Sequence, residues 1–248
     1  MRITCLAAGL CTRLRPHTEN IHKLMLPLEN ELLVDVQIHS FSNGGASRIS
    51  YVVGHGADGL ENHIRKHRYP IEIELIKNDH FATRNLDWSA YLALSCHDGE
   101  VLYWEGDIIA APELVSMLLN CDADMCLAYD PQPRSEKPDT QVIMENGRVS
   151  SLLFDEHPSA RREMAVGAAG EFVCALKLSD VARRFVVSEL ERCFFTGQMQ
   201  LYRIFDEAFT KFHCTALSTA GLPWIEIDTW SDFLRAKTVA SDILGHLK

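Results

Sequence analysis

No stretch of the 248-residue sequence approaches the roughly 20 consecutive apolar residues that a helix needs to cross a bilayer. Nor does the chain open with a basic segment, a long apolar run and a small-residue cleavage site, since Met1-Arg2-Ile3 leads directly to Ala7-Ala8-Gly9. A cytoplasmic protein without a membrane partner is therefore expected. Positive charge is also short. The 24 Lys+Arg against 34 Asp+Glu leave a net charge of −10, which gives no basic face for a phosphate backbone and excludes nucleic acid as the expected partner. Glycine and proline, at 14 and 9 residues, are too few for a fibrous or low-complexity chain. The eight cysteines (Cys5, Cys11, Cys96, Cys121, Cys126, Cys174, Cys193 and Cys214) include no C-x-x-C pair, and no Cys/His set has zinc-finger spacing. They read as buried, reduced thiols that behave as small hydrophobes.

What is present is an ordinary globular composition, 47% hydrophobic and 23% charged, in a chain long enough to bury about 70% of its unfolded surface. Short apolar runs bounded by turn residues alternate with segments of helical period. The runs Ile3–Ala7, Ile49–Val53, Ile71–Ile76, Val101–Trp104 and Asp124–Ala128 read as strands. Between them Leu33–Phe41, Leu60–His67, Asp87–Leu94 and Glu113–Leu119 place apolar residues three and four apart and read as helices. That alternation predicts an α/β fold with a Rossmann-like, mostly parallel sheet and flanking helices. The second half changes character. Gln141–Glu145 and Arg148–Leu152 flank Asn146-Gly147, a strong two-residue hairpin signal, so a small antiparallel insert is expected. Pro131–Pro138 lacks apolar periodicity and reads as a mobile surface loop. A strand near Phe172–Leu176, helices near Leu178–Phe185 and Leu201–Phe212, a strand at Trp224–Ile227 and a terminal helix toward Leu244 follow. Thr229 and Asp232 form a capping box for that last helix. With no internal repeat and no linker, residues 1–248 read as one domain.

Three elements carry chemistry. The first strand ends in small residues, Ala7-Ala8-Gly9, whose backbone N–H groups are left open to a nucleotide. Arg13, and Lys23 seven residues after Pro16, supply the positive charge a triphosphate needs. The loop is neither a P-loop nor G-x-G-x-x-G. The apolar strand Val101–Trp104 runs into Glu105-Gly106-Asp107, which puts Asp107 at the carboxyl edge of the sheet, beside the first loop. Trp224-Ile225-Glu226-Ile227-Asp228-Thr229 delivers another carboxylate just before a helix. Asp107 and Asp228 on separate strands suit one Mg²⁺ that bridges phosphate oxygens. Together the three elements describe a phosphate-and-magnesium site.

The run Ala7-Ala8-Gly9-Leu10-Cys11-Thr12-Arg13-Leu14-Arg15-Pro16, then Lys23-Leu24-Met25-Leu26-Pro27, Gly106-Asp107 and Glu226-Ile227-Asp228-Thr229, resembles the sugar-phosphate nucleotidyltransferase superfamily over nearly the whole chain. Asn78 to Ala93, with Asn85 and Ser89, resembles the corresponding segment of the cytidylyltransferases that act on phosphocholine and small phosphonates. The resemblance implies CTP as donor, Mg²⁺ as cofactor, and transfer of CMP to a small phosphate or phosphonate acceptor with release of pyrophosphate. It implies that the Leu6, Ala7, Ala8 and Gly9 backbone cradles base and ribose, that Arg13 meets the β- and γ-phosphates, and that Lys23 meets the α-phosphate and acceptor. Asp107 and Asp228 become the metal ligands, with Asn78, Asn85 and Ser89 near the nucleoside or acceptor. The region around 130–200 becomes the hairpin and acceptor-binding part. From its position between core and insert, and not from the resemblance, the Pro131–Pro138 loop is expected to close over the acceptor. Members often form dimers, so a homodimer is compatible.

The chain departs from the family pattern at three places. Cys11 stands where a second Gly is usual, Leu86 where a second Asn is usual, and His22 where Pro usually precedes the lysine. For the acceptor, Trp88, Tyr91, Trp104 and Trp224 could cage a quaternary ammonium, while Asp87, Glu105 or Glu171 could pair with an amino group. Two other readings compete. One is a sugar-1-phosphate uridylyl- or thymidylyltransferase, and the other is a nucleotide-binding protein that has lost catalysis, motivated by Cys11.

Overall fold

Strand β1 (Arg2–Ala7) is buried at successive positions from Ile3 to Leu6, as a strand covered on both faces must be, and it lies in the middle of the sheet. The computed structural model describes residues 1–133, 138–154, 164–196 and 201–245. After β1 come two 3-10 turns, Thr12–Leu14 and Lys23–Met25, and the short strands β2 (Pro27–Leu28) and β3 (Glu31–Leu32). The chain then alternates through α1 (Leu33–Asn43), β4 (Arg48–Val53), α2 (Ala57–Lys66), β5 (Glu72–Lys77), α3 (Leu86–Ser95) and β6 (Val101–Glu105). It continues through β7 (Ile108–Ala110), α4 (Pro112–Leu119), β8 (Met125–Asp130), the hairpin β9 (Thr140–Glu145) and β10 (Arg148–Phe154), and β11 (Ala168–Leu178). The last elements are α5 (Asp180–Thr196), α6 (Leu201–Lys211), β12 (Cys214–Ser218), β13 (Trp224–Glu226) and α7 (Trp230–Gly245).

The expected α/β class is what folds. Strands β5, β4, β1 and β6 are parallel neighbours, with Leu6 paired to Val52 on one side and Glu105 on the other. From β1 the chain steps to β4 and β5 on one flank and returns to β6 on the other. The order therefore reverses between β1 and β6, and a crevice opens at their carboxyl ends. Beyond β6 the sheet turns antiparallel: β11 pairs with β6, β8 and β9, shifting register between Phe172 and Leu176 and again between Ala168 and Gly170. Those bulges let one long strand serve both the parallel core and the β9–β10 hairpin. Asn146 and Gly147 have φ of 51° and 78°, the left-handed pair that a tight primed hairpin turn requires. The core is continuous, and Trp104, Tyr103, Phe41 and Leu102 are among its buried residues.

Several expectations need correcting. Helix α2 starts at Ala57 rather than Leu60, and α5 starts at Asp180 rather than Leu178 but runs to Thr196, well beyond Phe185. The strand expected at Trp224–Ile227 forms as β13, and it pairs antiparallel with β7, a three-residue strand that period analysis cannot register. The cysteines are free, yet only Cys5, Cys126, Cys174 and Cys214 are buried. Cys96 is exposed because it caps the outer end of α3. Residues 134–137 of the expected mobile loop, and 155–163 and 197–200 of the expected acceptor region, lie outside the described residues. No described helix is long and apolar enough to cross a membrane.

Candidate active site

At the carboxyl end of β1 the chain leaves the sheet through Ala8-Gly9-Leu10 and turns at Cys11, whose backbone is left-handed (φ 50°, ψ 39°). Leu14 N and Thr18 Oγ1 both donate to the Cys11 carbonyl, at 3.1 and 2.9 Å, and pin the turn. A residue with a Cβ pays about 1–2 kcal/mol for this conformation, which a glycine would avoid. At the end of β6, Gly106 N donates to Leu6 O at 2.9 Å, and a Cβ on Gly106 would stand 2.4 Å from that same oxygen. Only glycine lets the two strand ends close to this distance.

That close approach delivers Asp107 to Lys23. The 3-10 turn Lys23–Met25 aims the lysine inward, and Nζ lies 3.0 Å from Asp107 Oδ2. Burial works against the ammonium, but Asp107, Cys11 and Asp228 more than offset it and hold the Lys23 pKa above its ordinary value. Arg13 reaches across to Asp228, with Nη2 2.6 Å from Oδ1. Asp107, Glu226 and Asp228 offer carboxylate oxygens that all lie within 4.8 Å of one another. Burial and then repulsion from Asp107 push Asp228 up to about 6, against Lys23 and Arg13, and push Glu226 well above the carboxylate range. Backbone bonds fix the arrangement: Ile227 N donates to Asp107 O at 2.9 Å, and Asp232 accepts from Thr229 N at 2.7 Å as the expected capping box.

Asp107 Oδ1 is buried without a hydrogen-bond partner in a cluster of three carboxylates, an arrangement that a cation would satisfy. The donors are all hard oxygens, so Mg²⁺ fits them and soft thiophilic metals do not. Glu226 is the member that sequence reasoning missed. It lies within the motif that carries Asp228, but a strand residue two positions away is as easily read as core.

The cavity between the two strand ends is about 300 Å³. Leu6, Ala7, Ala8, Gly9, Lys23, Asn85, Ser89 and Asp107, all expected site residues, line it. Asn78 stands behind the wall, where its Nδ2 donates to Ser89 Oγ at 3.0 Å and its Oδ1 accepts from His80 N at 2.9 Å. Asn85 precedes α3 and donates to Asp87 Oδ2 at 3.0 Å, and Asp87 Oδ1 in turn accepts from Leu201 N, tying α3 to α6. Glu105 enters the cavity from the end of β6, accepting from Tyr202 Oη at 2.6 Å and Tyr103 Oη at 2.9 Å. Burial, then Asp107, raises its carboxyl to about 7. The four suggested cage aromatics are elsewhere: Trp104 and Trp224 are core residues bonded to Ile108 O and Asp130, and Trp88 and Tyr91 cluster with Phe194.

Comparison with known proteins agrees with this architecture. No protein-family model matches the chain. Over 92 residues, 37% of this chain and 38% of the relative, it is 35% identical to a choline-phosphate cytidylyltransferase of Streptococcus pneumoniae. Over 136 residues, 52% of this chain and 53% of the relative, it is 27% identical to a CTP:phosphoglutamine cytidylyltransferase of Campylobacter jejuni. The matches thus span about half or less of these relatives' length. The solved CTP:phosphocholine cytidylyltransferase from Streptococcus pneumoniae superposes over 96% of this chain and 98% of its own, with a TM-score of 0.75 at 19% identity. The fold is that of the nucleotidyltransferases.

Proposed function

We propose that the chain is a Mg²⁺-dependent cytidylyltransferase that transfers CMP from CTP to a small phosphate or phosphonate and releases pyrophosphate. One observation carries this reading: the Lys23–Asp107 pair and the Glu226/Asp228 carboxylates meet at the β1/β6 crevice, beside a cavity walled by an open backbone loop. The relatives' names, which specify CTP with phosphocholine or phosphoglutamine, support the donor and the acceptor class.

The chain's own groups divide the work. Backbone from Leu6 to Gly9 receives base and ribose, Asn78 orients Ser89, and Asn85 and Ser89 face the nucleoside or acceptor. Arg13, paired with Asp228 at the edge of the site, supplies positive charge for the β- and γ-phosphates. Lys23 sits where charge develops on the α-phosphate, and it aligns the incoming acceptor oxygen in line with the departing pyrophosphate. An ionised phosphate or phosphonate oxygen needs no strong base, so positioning and charge neutralisation suffice. Asp107, Asp228 and Glu226 would hold Mg²⁺, which neutralises phosphate charge when bound. Glu105, aimed into the cavity under two tyrosine hydroxyls, suits an acceptor with a cationic end, as phosphocholine has. The test is pyrophosphate release with CTP, UTP, ATP, GTP and dTTP against phosphocholine, small phosphonates and sugar 1-phosphates. Turnover with CTP and a small phospho-acceptor is expected. Turnover confined to UTP or dTTP with a sugar 1-phosphate would replace this reading.

The left-handed Cys11 favours a second reading, a nucleotide-binding protein without turnover. It predicts CTP binding with no product from any acceptor, and turnover that appears on Cys11→Gly.

A further inference from the structure

Arg84 lines the cavity, yet the chemistry above gives it no part. It ends a tight turn in which Thr83 N and Arg84 N both donate to His80 O, at 2.9 and 2.8 Å, so its backbone is held just ahead of α3. The guanidinium rests on aromatic rings. Its Cζ lies 4.4 Å from the Trp88 centroid and 5.8 Å from that of Phe194, and Trp88 itself packs edge-on against Phe194. Such a platform fixes the direction of a long side chain and covers a face of the guanidinium while leaving its edge free. Lys23 has Asp107 as a partner and Arg13 has Asp228, but among the described residues none takes a side-chain hydrogen bond or an ion pair from Arg84. In a chain with ten more acids than Lys+Arg, an exposed arginine at the cavity is thus held by rings alone, with its N–H donors open to a ligand.

The edge of a guanidinium presents paired N–H donors that match the two oxygens of a carboxylate. The nucleoside of CTP is neutral, and its phosphates are met by Lys23 and Arg13, so the charge at Arg84 is left for the acceptor. The acceptor's own phosphate or phosphonate has to reach Lys23 to react. Arg84 therefore answers a second anionic group. We propose that Arg84 is an acceptor-specificity residue whose guanidinium binds a carboxylate, so that the acceptor is a small phosphate or phosphonate that also bears a carboxylic acid. The inference rests on the cytidylyltransferase reading and narrows its acceptor. Phe81 is the one Phe, Tyr or Trp among the described residues that line the cavity, so a quaternary ammonium finds no aromatic cage there. With Glu105 facing a cationic end, the class becomes phosphorylated or phosphono amino acids.

The test uses pairs of acceptors that differ by one carboxylate: O-phosphoserine with O-phosphoethanolamine, O-phosphohomoserine with 3-aminopropyl phosphate, and 2-amino-3-phosphonopropionate with 2-aminoethylphosphonate. Each is assayed with CTP and Mg²⁺ in the wild type and in Arg84→Gln, which stays polar but loses the charge. The wild type is expected to favour the carboxylate member of at least one pair by about tenfold or more in kcat/KM, the worth of a hydrogen bond between charged groups. Arg84→Gln should erase that preference, and the loss should fall on the KM for the carboxylate member rather than on the KM for CTP. A wild type without the preference in any pair, or a preference that survives in the variant, would overturn the inference. Equal KM rises for both members would put Arg84 on the phosphate they share, and a rise confined to CTP would put it on the nucleotide; either result would overturn it as well. Where no acceptor turns over, calorimetric binding of the same pairs to wild type and variant with CTP and Mg²⁺ decides. Binding of a carboxylate member that depends on Arg84 would keep the inference and overturn the transferase reading, whereas no such binding would overturn the inference itself.

Discussion

Cys11 lies in backbone space that favours glycine, and its carbonyl is tied down by Leu14 and Thr18. Replacing it with glycine removes the Cβ penalty of about 1–2 kcal/mol, less the extra chain entropy glycine loses on folding, about 0.5–1 kcal/mol. Cys11→Gly should therefore raise stability by up to about 1.5 kcal/mol in denaturant melts, and a loss of stability would show that the turn is not strained. At this scale the sequence was informative where a residue type is uncommon for its setting. Arg13, Lys23, Asp107 and Asp228 stood out because charge follows small residues or ends an apolar strand, and the structure brings Lys23 to Asp107 and Arg13 to Asp228. Glu226 and Arg84 did not stand out. A glutamate in a three-residue strand and an arginine at the end of a turn become informative only when tertiary packing decides which way they face.

The site exists because two strand ends close on each other. In Gly106→Ala the new Cβ would stand 2.4 Å from Leu6 O, a backbone atom that cannot move without breaking the β1–β6 register. A loss of about 2 kcal/mol or more is expected, together with misplacement of Asp107 and at least a tenfold fall in turnover. Wild-type melting and activity in this variant would mean that the strand ends are looser than described. The sheet and most helices were legible because their apolar periods are long and their turns carry glycine, proline or asparagine, as at Asn146-Gly147. Strand β7 was not, because three residues hold no period, and the bulges of β11 depend on partners distant in sequence.

At the scale of the whole molecule, Asp107, Glu226 and Asp228, far apart in sequence, are brought together at one site. Asp228 is held near 6 and Glu226 well above the usual carboxylate range, so between their unfolded and folded values the native chain binds more protons than the unfolded chain. The resulting stability is present at low pH and is lost as pH rises through about 6. A cation that replaces those protons restores it. Millimolar Mg²⁺ should thus raise the Tm more at pH 8 than at pH 5, by about 2–4 °C per kcal/mol of binding in a chain of this size. In Asp107→Asn the pH 8 increment should shrink. An equal increment at both pH values would argue against metal binding at this cluster.

The central claim, that the Lys23–Asp107 junction directs CMP transfer, is tested most directly by following label from α-³²P CTP. With Mg²⁺ and a small phospho-acceptor, the wild type should convert the label into a CMP-linked product, while Asp107→Asn and Lys23→Ala should each be slower by about 10²-fold or more. Label that stays in CTP with every acceptor, or transfer that both variants sustain at the wild-type rate, would contradict the account.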